Sequence, residues 1–291
     1  FNKNASFKGG AIYNERILNL KSCEFKNNIA SDGNHIESEN TGNLNIFNCI
    51  FTDNYGGIGG AINSGNTAAN LNVVGSTFKS NIADSYGGAL IFDGTGNITD
   101  SVFINNSAFC GGGAVYFWGY NHMISNSKFI NNSAVDGGAV IALCTNLTSF
   151  NNHFDKNIAY GFGGAIYGTS GDFLVYKDVF SNNIVYYDGG AVYIYKGIGS
   201  IYESIFKRNV AGYGGGAIHF YDNYGSVFNS TFINNTARTK NGGAIYFRTA
   251  TGHNFNNLTL INNTAGSNGG AIYFANAISN LIFTNNVSLA N

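Results

Sequence analysis

Gly-Gly-Ala-Ile-Tyr at residues 9–13 decides the fold of this chain, because it returns, exact or lightly varied, as far as residues 269–273. Successive copies lie 24 to 28 residues apart, and a decayed copy around residues 33–36 fills the one gap. A second motif, Phe-x-x-Asn, repeats with the same period from Phe25 and Asn28 to Phe283 and Asn286, with a Leu-substituted copy at Leu260. A fixed period of this length is typical of a solenoid whose repeats pack on their neighbours. We therefore predict a single repeat domain over residues 1–291.

The residues that vary at each repeat position indicate strands. The residue after each Gly-Gly-Ala is always aliphatic, as at Val115, and is expected to face the core. The next residue ranges from Tyr116 to Asn63 and His219, a mixture that suits an outward position. This period-2 alternation is typical of a β-strand.

Two further positions complete a coil of three short strands. An apolar residue lies five positions before each Phe, broken only by Ser149, and polar residues such as Asn48 and Glu203 then mark a bend. Stacked coils pair each strand with its copies above and below. The sequence thus predicts an all-β fold, a single-stranded parallel β-helix of about 11–12 coils of about 26 residues, filled by ladders of like side chains.

The recurrent asparagine is interpreted as structural. The chain contains 47 Asn, 40 Gly and no Pro, which suits many tight turns with left-handed backbone angles. At the corner after the Phe strand, an inward Asn can satisfy the backbone of its own turn and bond the Asn of the next coil.

Charge and hydropathy exclude several partners. With 15 basic and 16 acidic residues the net charge is -1, which disfavours nucleic acid and anionic lipid. No apolar run reaches the length of a membrane span, so no membrane insertion by this segment is expected. Because there is no initiator Met or signal peptide, we interpret the chain as a fragment of a longer surface protein, with other domains as partners.

The paired repeats resemble those of the chlamydial polymorphic outer-membrane proteins. The variant Phe-Ile-Asn-Asn-(Ser/Thr)-Ala, at residues 129–134 and 232–237, is also similar to Asn-rich adhesin-like surface proteins of methanogenic archaea. The resemblance implies an exported, right-handed β-helix passenger used in adhesion, located outside the cell at its surface. We predict a non-enzymatic protein of this kind.

A carbohydrate-active β-helix enzyme, of the polysaccharide lyase or hydrolase kind, is the alternative function. Glu15 and Glu39 occupy matching positions one coil apart, with Glu37 on the same strand, and two nearby carboxylates could serve a glycosidase. A solvated acidic edge near Arg16 and Lys21 is the favoured explanation, and no signature of the pectinase type is present. We therefore predict no catalytic residues.

Cysteine and histidine predict neither a metal nor a cofactor. Cys23 and Cys49 occupy the same repeat position and should stack, either as a disulfide or as free thiols. No Cys/His set has zinc spacing, and the five His fall on unrelated repeat positions.

The outward position of the Gly-Gly-Ala strand predicts a binding face. Stacking should align its aromatic residues into an exposed stripe that suits a glycan or protein on another cell. Cross-strand aromatic pairs that only stabilise the sheet, in a purely structural stalk, are the alternative. The candidate ligand-binding residues are Tyr116, Trp118, Tyr167, Tyr193, Tyr195, His219, Tyr221 and Tyr246.

Overall fold

The computed structural model confirms the predicted parallel β-helix. It describes residues 1–14, 17–30, 36–38, 43–222, 224–248, 254–275, 282–284 and 287–289. Throughout these ranges the regular structure is strand, no α-helix is present, and every strand pairing is parallel to the matching strand of the next coil. A coil runs from a wide sheet to a phenylalanine sheet, then to a corner sheet, and returns through the Gly-Gly turn.

The phenylalanine sheet and the corner sheet each contain 11 strands. The strands of the phenylalanine sheet are Glu24–Lys26, Ile50–Thr52, Thr77–Lys79, Val102–Ile104, Lys128–Ile130, His153–Asp155, Val179–Ser181, Ile205–Lys207, Thr231–Ile233, Thr259–Ile261 and Val287–Leu289. The strands of the corner sheet are Ala5–Ser6, Ile29–Ala30, Tyr55–Gly56, Ile82–Ala83, Ser107–Ala108, Ser133–Ala134, Ile158–Ala159, Ile184–Val185, Val210–Ala211, Thr236–Ala237 and Thr264–Ala265.

The wide sheet begins with the Gly-Gly-Ala strand and ends just before the bend. In four coils it is one long strand, Ile62–Val74, Leu90–Thr99, Ile166–Tyr176 or Val192–Tyr202. In the others it is split. The first halves are Ile12–Asn14, Ile36–Ser38, Val115–Trp118, Val140–Leu143, Ile218–Tyr221, Ile245–Arg248 and Ile272–Ala275. The second halves are Leu18–Lys21, Leu44–Phe47, Asn121–Ser125, Asn146–Phe150, Tyr224–Phe228, Asn254–Asn256 and Ile282–Thr284.

Left-handed residues turn the chain at three places in the fully described coils. The polar residues predicted to bend the chain before the phenylalanine sheet do so, with φ of 52° at Asn48 and 48° at Glu203. A second such residue precedes the inward Asn, as at Asn131 with φ of 54°. The first Gly of the Gly-Gly pair is the third, for example Gly163 with φ of 63°. Asn and Gly take these angles at low cost, which explains their abundance.

A ladder of stacked rings fills the core. From Phe1 to Phe232, successive rings of the phenylalanine sheet lie 4.7 to 4.8 Å apart and within 11° of parallel. The aliphatic residues of the wide sheet pack against them, and Val115, Ile218 and Ile245 are completely buried. The predicted inward positions are therefore correct.

The asparagine ladder has the predicted structural role. The Asn132 carboxamide oxygen accepts both the backbone N–H and the side-chain amide of Asn106, each at 3.0 Å. Its own amide donates to Asn157 at 3.0 Å and to the carbonyl of Phe103 at 3.1 Å. The same pattern runs from Asn28 to Asn235, all completely or almost completely buried.

One position of the predicted register differs in the structure. Phe283 was expected to continue the phenylalanine ladder, but the backbone pairs Phe283 with Phe255 and places Ser288 opposite Leu260. That expectation is wrong, because strand pairing, rather than the identity of a Phe, sets the position in the coil.

Cys23 and Cys49 stack as predicted, and both are free thiols; the Cys49 sulfur accepts the Cys23 N–H at 3.4 Å.

A buried polar cluster explains the break at Ser149. The carboxylate of Asp178, on the coil above, accepts hydrogen bonds from the Ser149 hydroxyl and from the Asn152 N–H, the latter at 2.6 Å. The Asn152 amide also donates to the Ser149 hydroxyl at 3.0 Å. All three side chains are buried, so Ser149 supplies the polar partner that Asp178 needs inside the core.

We expect Asp178 to make stability depend on pH. Burial raises its pKa from 3.8 to about 7, against the opposing hydrogen bonds from Ser149 and Asn152. Between these two values the folded protein holds a proton that the unfolded chain has lost, so the free energy of unfolding falls as pH rises. The difference between pH 5 and pH 8 should be about 2 to 3 kcal/mol.

Denaturant unfolding of the wild type and of Asp178→Asn at both pH values measures this effect. The amide cannot ionise, so the variant should lose that part of the pH dependence. Its oxygen can still accept the Asn152 N–H, while its NH2 group would have to donate to the Ser149 hydroxyl. An identical pH dependence in the two proteins would show that Asp178 does not titrate with folding.

Candidate functional site

The predicted binding face points outward from the core, as expected, but part of it is covered. Two aromatic residues that immediately precede a Gly-Gly pair pack against this face: the ring centroid of Tyr86 lies 4.8 Å from that of Tyr116, and the ring centroid of Phe162 lies 4.7 Å from that of Tyr193. Tyr116 is 3% exposed, Tyr193 6% and His219 1%. The prediction that these three side chains are exposed is therefore wrong.

The five remaining candidate residues differ in exposure. Trp118 is 51% exposed, whereas Tyr167, Tyr195, Tyr221 and Tyr246 are only partly exposed. Burial raises the pKa of Tyr167 to about 12.

The residues do not form one continuous stripe. Leu143 and Thr169 occupy the two coils between Trp118 and Tyr195 in the strand register. Tyr195 and Tyr221 do meet, with ring centroids 5.2 Å apart, and Lys196 and Arg248 lie over them.

His219 belongs to the covered layer rather than to an accessible site. Its ring lies 4.4 Å from the Tyr246 ring and 5.0 Å from the Tyr193 ring. Its Nδ1 atom is 3.4 Å from the Asp188 carboxylate, which accepts the Gly214 N–H at 2.8 Å. Burial lowers the pKa of His219, against the opposing effect of Asp188. An imidazole packed between tyrosine rings is a structural element here.

A second apolar column, which the sequence analysis missed, is exposed. It consists of the third residue after the ladder Asn in four consecutive coils: Phe109 is 75% exposed, Val135 40%, Tyr160 65% and Tyr186 64%. The sequence signal is a large apolar residue after Asn-x-Ala or Asn-x-Val, where neighbouring repeats have Asp, Gly or Arg. We call these four residues the exposed apolar column.

The corner sheet holds this column in a regular array. The N–H of Phe109 donates to the Ala83 carbonyl at 3.2 Å, and that of Tyr186 donates to the Ala159 carbonyl at 3.1 Å. Because Phe109, Tyr160 and Tyr186 continue the hydrogen-bond ladder between coils, the column follows the strand spacing. The column is therefore carried by rigid backbone although it lies beyond the ends of the strands.

A groove of about 340 Å³ lies beside the column. Its lining includes the rings of Tyr160, Tyr186 and Tyr213, the exposed side chain of Ile184, and Arg238 at one end. We call this the aromatic groove. A smaller depression of about 170 Å³ continues past Tyr160 toward Phe109 and Val135. Together they form an elongated, mostly apolar surface, the kind that marks a binding site.

The structure tests the other candidate chemistry only in part. Glu15 and Glu39 lie outside the described residues, and of Glu37 only the backbone is described, so the carboxylate hypothesis is not addressed. In the described part of the chain, no three His, Cys, Asp or Glu side chains come together as metal ligands. Within the same residues no helix has the length and hydropathy to cross a membrane.

Comparison with known proteins confirms the resemblance to the chlamydial repeats. Five segments match the model of the Chlamydia polymorphic membrane protein repeat: residues 100–117, 153–169, 179–195, 229–248 and 257–275. No curated protein and no solved structure matches the chain. Each matched segment contains one phenylalanine strand, one corner strand and the following Gly-Gly turn. The similarity to the archaeal proteins stays a prediction.

Proposed function

We propose, from the Chlamydia polymorphic membrane protein repeats that this chain carries, that it is a β-helical passenger displayed outside the cell, where it binds a glycan or protein of another cell. The repeat is named for a membrane protein, which supports display at a cell envelope. A rod built from self-similar coils can hold a binding surface at a fixed geometry. This function requires no catalysis.

The exposed apolar column is the observation that carries this proposal. Phe109, Tyr160 and Tyr186 are all more than half exposed, and they lie along the aromatic groove and the smaller depression that continues it. Contiguous exposed apolar surface is uncommon on soluble proteins unless it binds something. Large aromatic side chains also contribute most of the energy at binding surfaces.

Trp118 is proposed as a secondary contact with the ligand. It and Tyr120 are 51% and 60% exposed, where the wide-sheet strand of this coil is split into its two halves. The buried members of the originally predicted face, Tyr116, Tyr193 and His219, are instead assigned a packing role.

Replacing Phe109, Tyr160 and Tyr186 together by Ser should weaken binding at least about tenfold to whatever ligand a screen of glycans and host-cell proteins identifies. The melting temperature should stay nearly unchanged, because the three side chains lie on the solvent side of the corner sheet. Binding to immobilised ligand and thermal unfolding measure the two effects.

Tyr224→Ser is the matched control, since Tyr224 is equally exposed, at 60%, but lies in the wide sheet. Binding that survives the triple substitution but falls in a Trp118→Ser variant would move the site to the wide sheet. Release of reducing or unsaturated sugars by the unmodified protein would contradict the non-enzymatic part of the proposal.

A further inference from the structure

We infer that the aromatic groove binds a glycan that carries a carboxylate, with the apolar faces of the sugars on the tyrosines and the acidic sugar against Arg238. The inference rests on the proposed function and names the class of ligand for the same surface. The groove is lined by rings on adjacent coils, Tyr160 and Tyr186, and by Tyr213 beside them. Flat aromatic faces suit the apolar faces of sugar rings.

The rings are held in place by their neighbours. Tyr187 packs edge-on against both Tyr186 and Tyr213, with ring centroids 5.2 Å and 5.1 Å apart. The Lys240 ammonium lies 4.3 Å from the centre of the Tyr213 ring on another side. Rings that are already ordered lose little conformational entropy on binding, so their contact area contributes more fully to affinity.

The backbone around the groove favours a glycan over an extended peptide. A peptide that adds to a sheet needs free backbone donors and acceptors at an edge. Here the N–H groups of Ile184, Tyr186 and Arg238 donate to the carbonyls of Asn157, Ala159 and Ala211 on the preceding coil, at 2.9, 3.1 and 2.9 Å. The groove therefore offers side chains rather than backbone, and a sugar can leave its hydroxyls in water while it covers the rings.

The charge at the end of the groove selects an acidic sugar. Arg238 is exposed, and among the described residues no carboxylate forms an ion pair with it. Asp188, an acidic residue of the covered layer, accepts the Gly214 N–H at 2.8 Å and lies 3.4 Å from His219. Arg238 supplies the charge among the residues that line the groove. The Lys240 ammonium lies nearby, over the ring of Tyr213. A guanidinium binds a carboxylate through two parallel hydrogen bonds, which is its preferred geometry.

The test compares acidic and neutral forms of the same sugars. Binding of the 291-residue chain is measured to oligogalacturonate and its carboxyl-reduced form, and to sialyllactose and lactose, at low and at moderate salt. We expect at least one acidic form to bind about tenfold more tightly than its neutral partner, and the preference to shrink as salt rises. The two pairs distinguish a uronic acid from a sialic acid as the source of the carboxylate.

Substitutions then assign the preference to the groove. Arg238→Gln should abolish the preference for the acidic form while leaving neutral binding, and Tyr186→Ser should weaken both. Arg208→Gln is the control, because Arg208 is also exposed but donates to Asn182 at 2.8 Å on another corner of the coil.

Four results would overturn the inference. Equal affinity for acidic and neutral forms, or a preference that survives in Arg238→Gln, would do so while leaving the proposed function intact. Binding of a protein through the exposed apolar column, with no glycan bound, would have the same consequence. A chain that binds neither glycans nor host-cell proteins would refute the proposed function as well.

Discussion

Asn132→Ala is expected to lower the free energy of unfolding by about 4 kcal/mol or more. The substitution leaves the backbone N–H of Asn106 and the carbonyl of Phe103 without these hydrogen bonds, and removes a partner from the side-chain amides of Asn106 and Asn157. The three Asn residues are completely buried, so water cannot replace the lost partners without entering the core. Each buried polar group without a partner costs about 1 to 3 kcal/mol. Denaturant unfolding measures the loss.

Asn131→Gly provides the matched control one residue earlier. Asn131 is exposed and donates to Asn105 at 2.8 Å, and its φ of 54° suits glycine. Its replacement should cost less than about 1 kcal/mol. Similar losses in the two variants would mean that the buried ladder contributes no more to stability than a surface hydrogen bond.

Phe129→Ala is expected to cost about 3 to 5 kcal/mol, the usual range for removing a buried ring. Its ring lies 4.8 Å from both Phe103 and Phe154, and it is completely buried. Neighbouring coils are held at the strand spacing by their backbone hydrogen bonds, so they cannot close the cavity. The same measurement of unfolding by denaturant applies.

Phe109→Ala is the natural comparison, because it removes the same side chain from a residue that is 75% exposed. We expect little or no loss of stability there. A loss at Phe109 as large as that at Phe129 would show that the exposed apolar column is part of the packing, and would weaken the case for a binding surface.

The two ladders also explain how the molecule can present a surface. Identical side chains stack at the strand spacing and fix each coil on the next, so the outer positions are free to vary without loss of the fold. The exposed apolar column occupies one such variable position, with Phe109, Val135, Tyr160 and Tyr186 on successive coils. A single binding surface can thus be built from residues about 26 positions apart in the chain.

The sequence by itself determined the parallel β-helix, its period, the three strands of each coil and the inward positions. It could do so because every repeat forms the same coil, so the copies can be compared position by position. A position that is aliphatic or Phe in nearly every copy must face the core. The bends at Asn48 and Glu203 and the hydrogen-bonded asparagines followed from the same comparison of copies. The partner that Asp178 finds in Ser149 could not be read this way, since the two residues break the pattern on different coils.

Only the tertiary structure decided which outward residues are exposed. Period-2 alternation tells the two faces of a strand apart, but it contains no information about a turn that folds over the outer face. Phe162 and Tyr86 cover Tyr193 and Tyr116 in this way, whereas nothing in the described chain covers Tyr186 to the same extent, and it remains 64% exposed. Burial depends on how the path of the whole coil brings distant residues together, and a local pattern cannot specify that path.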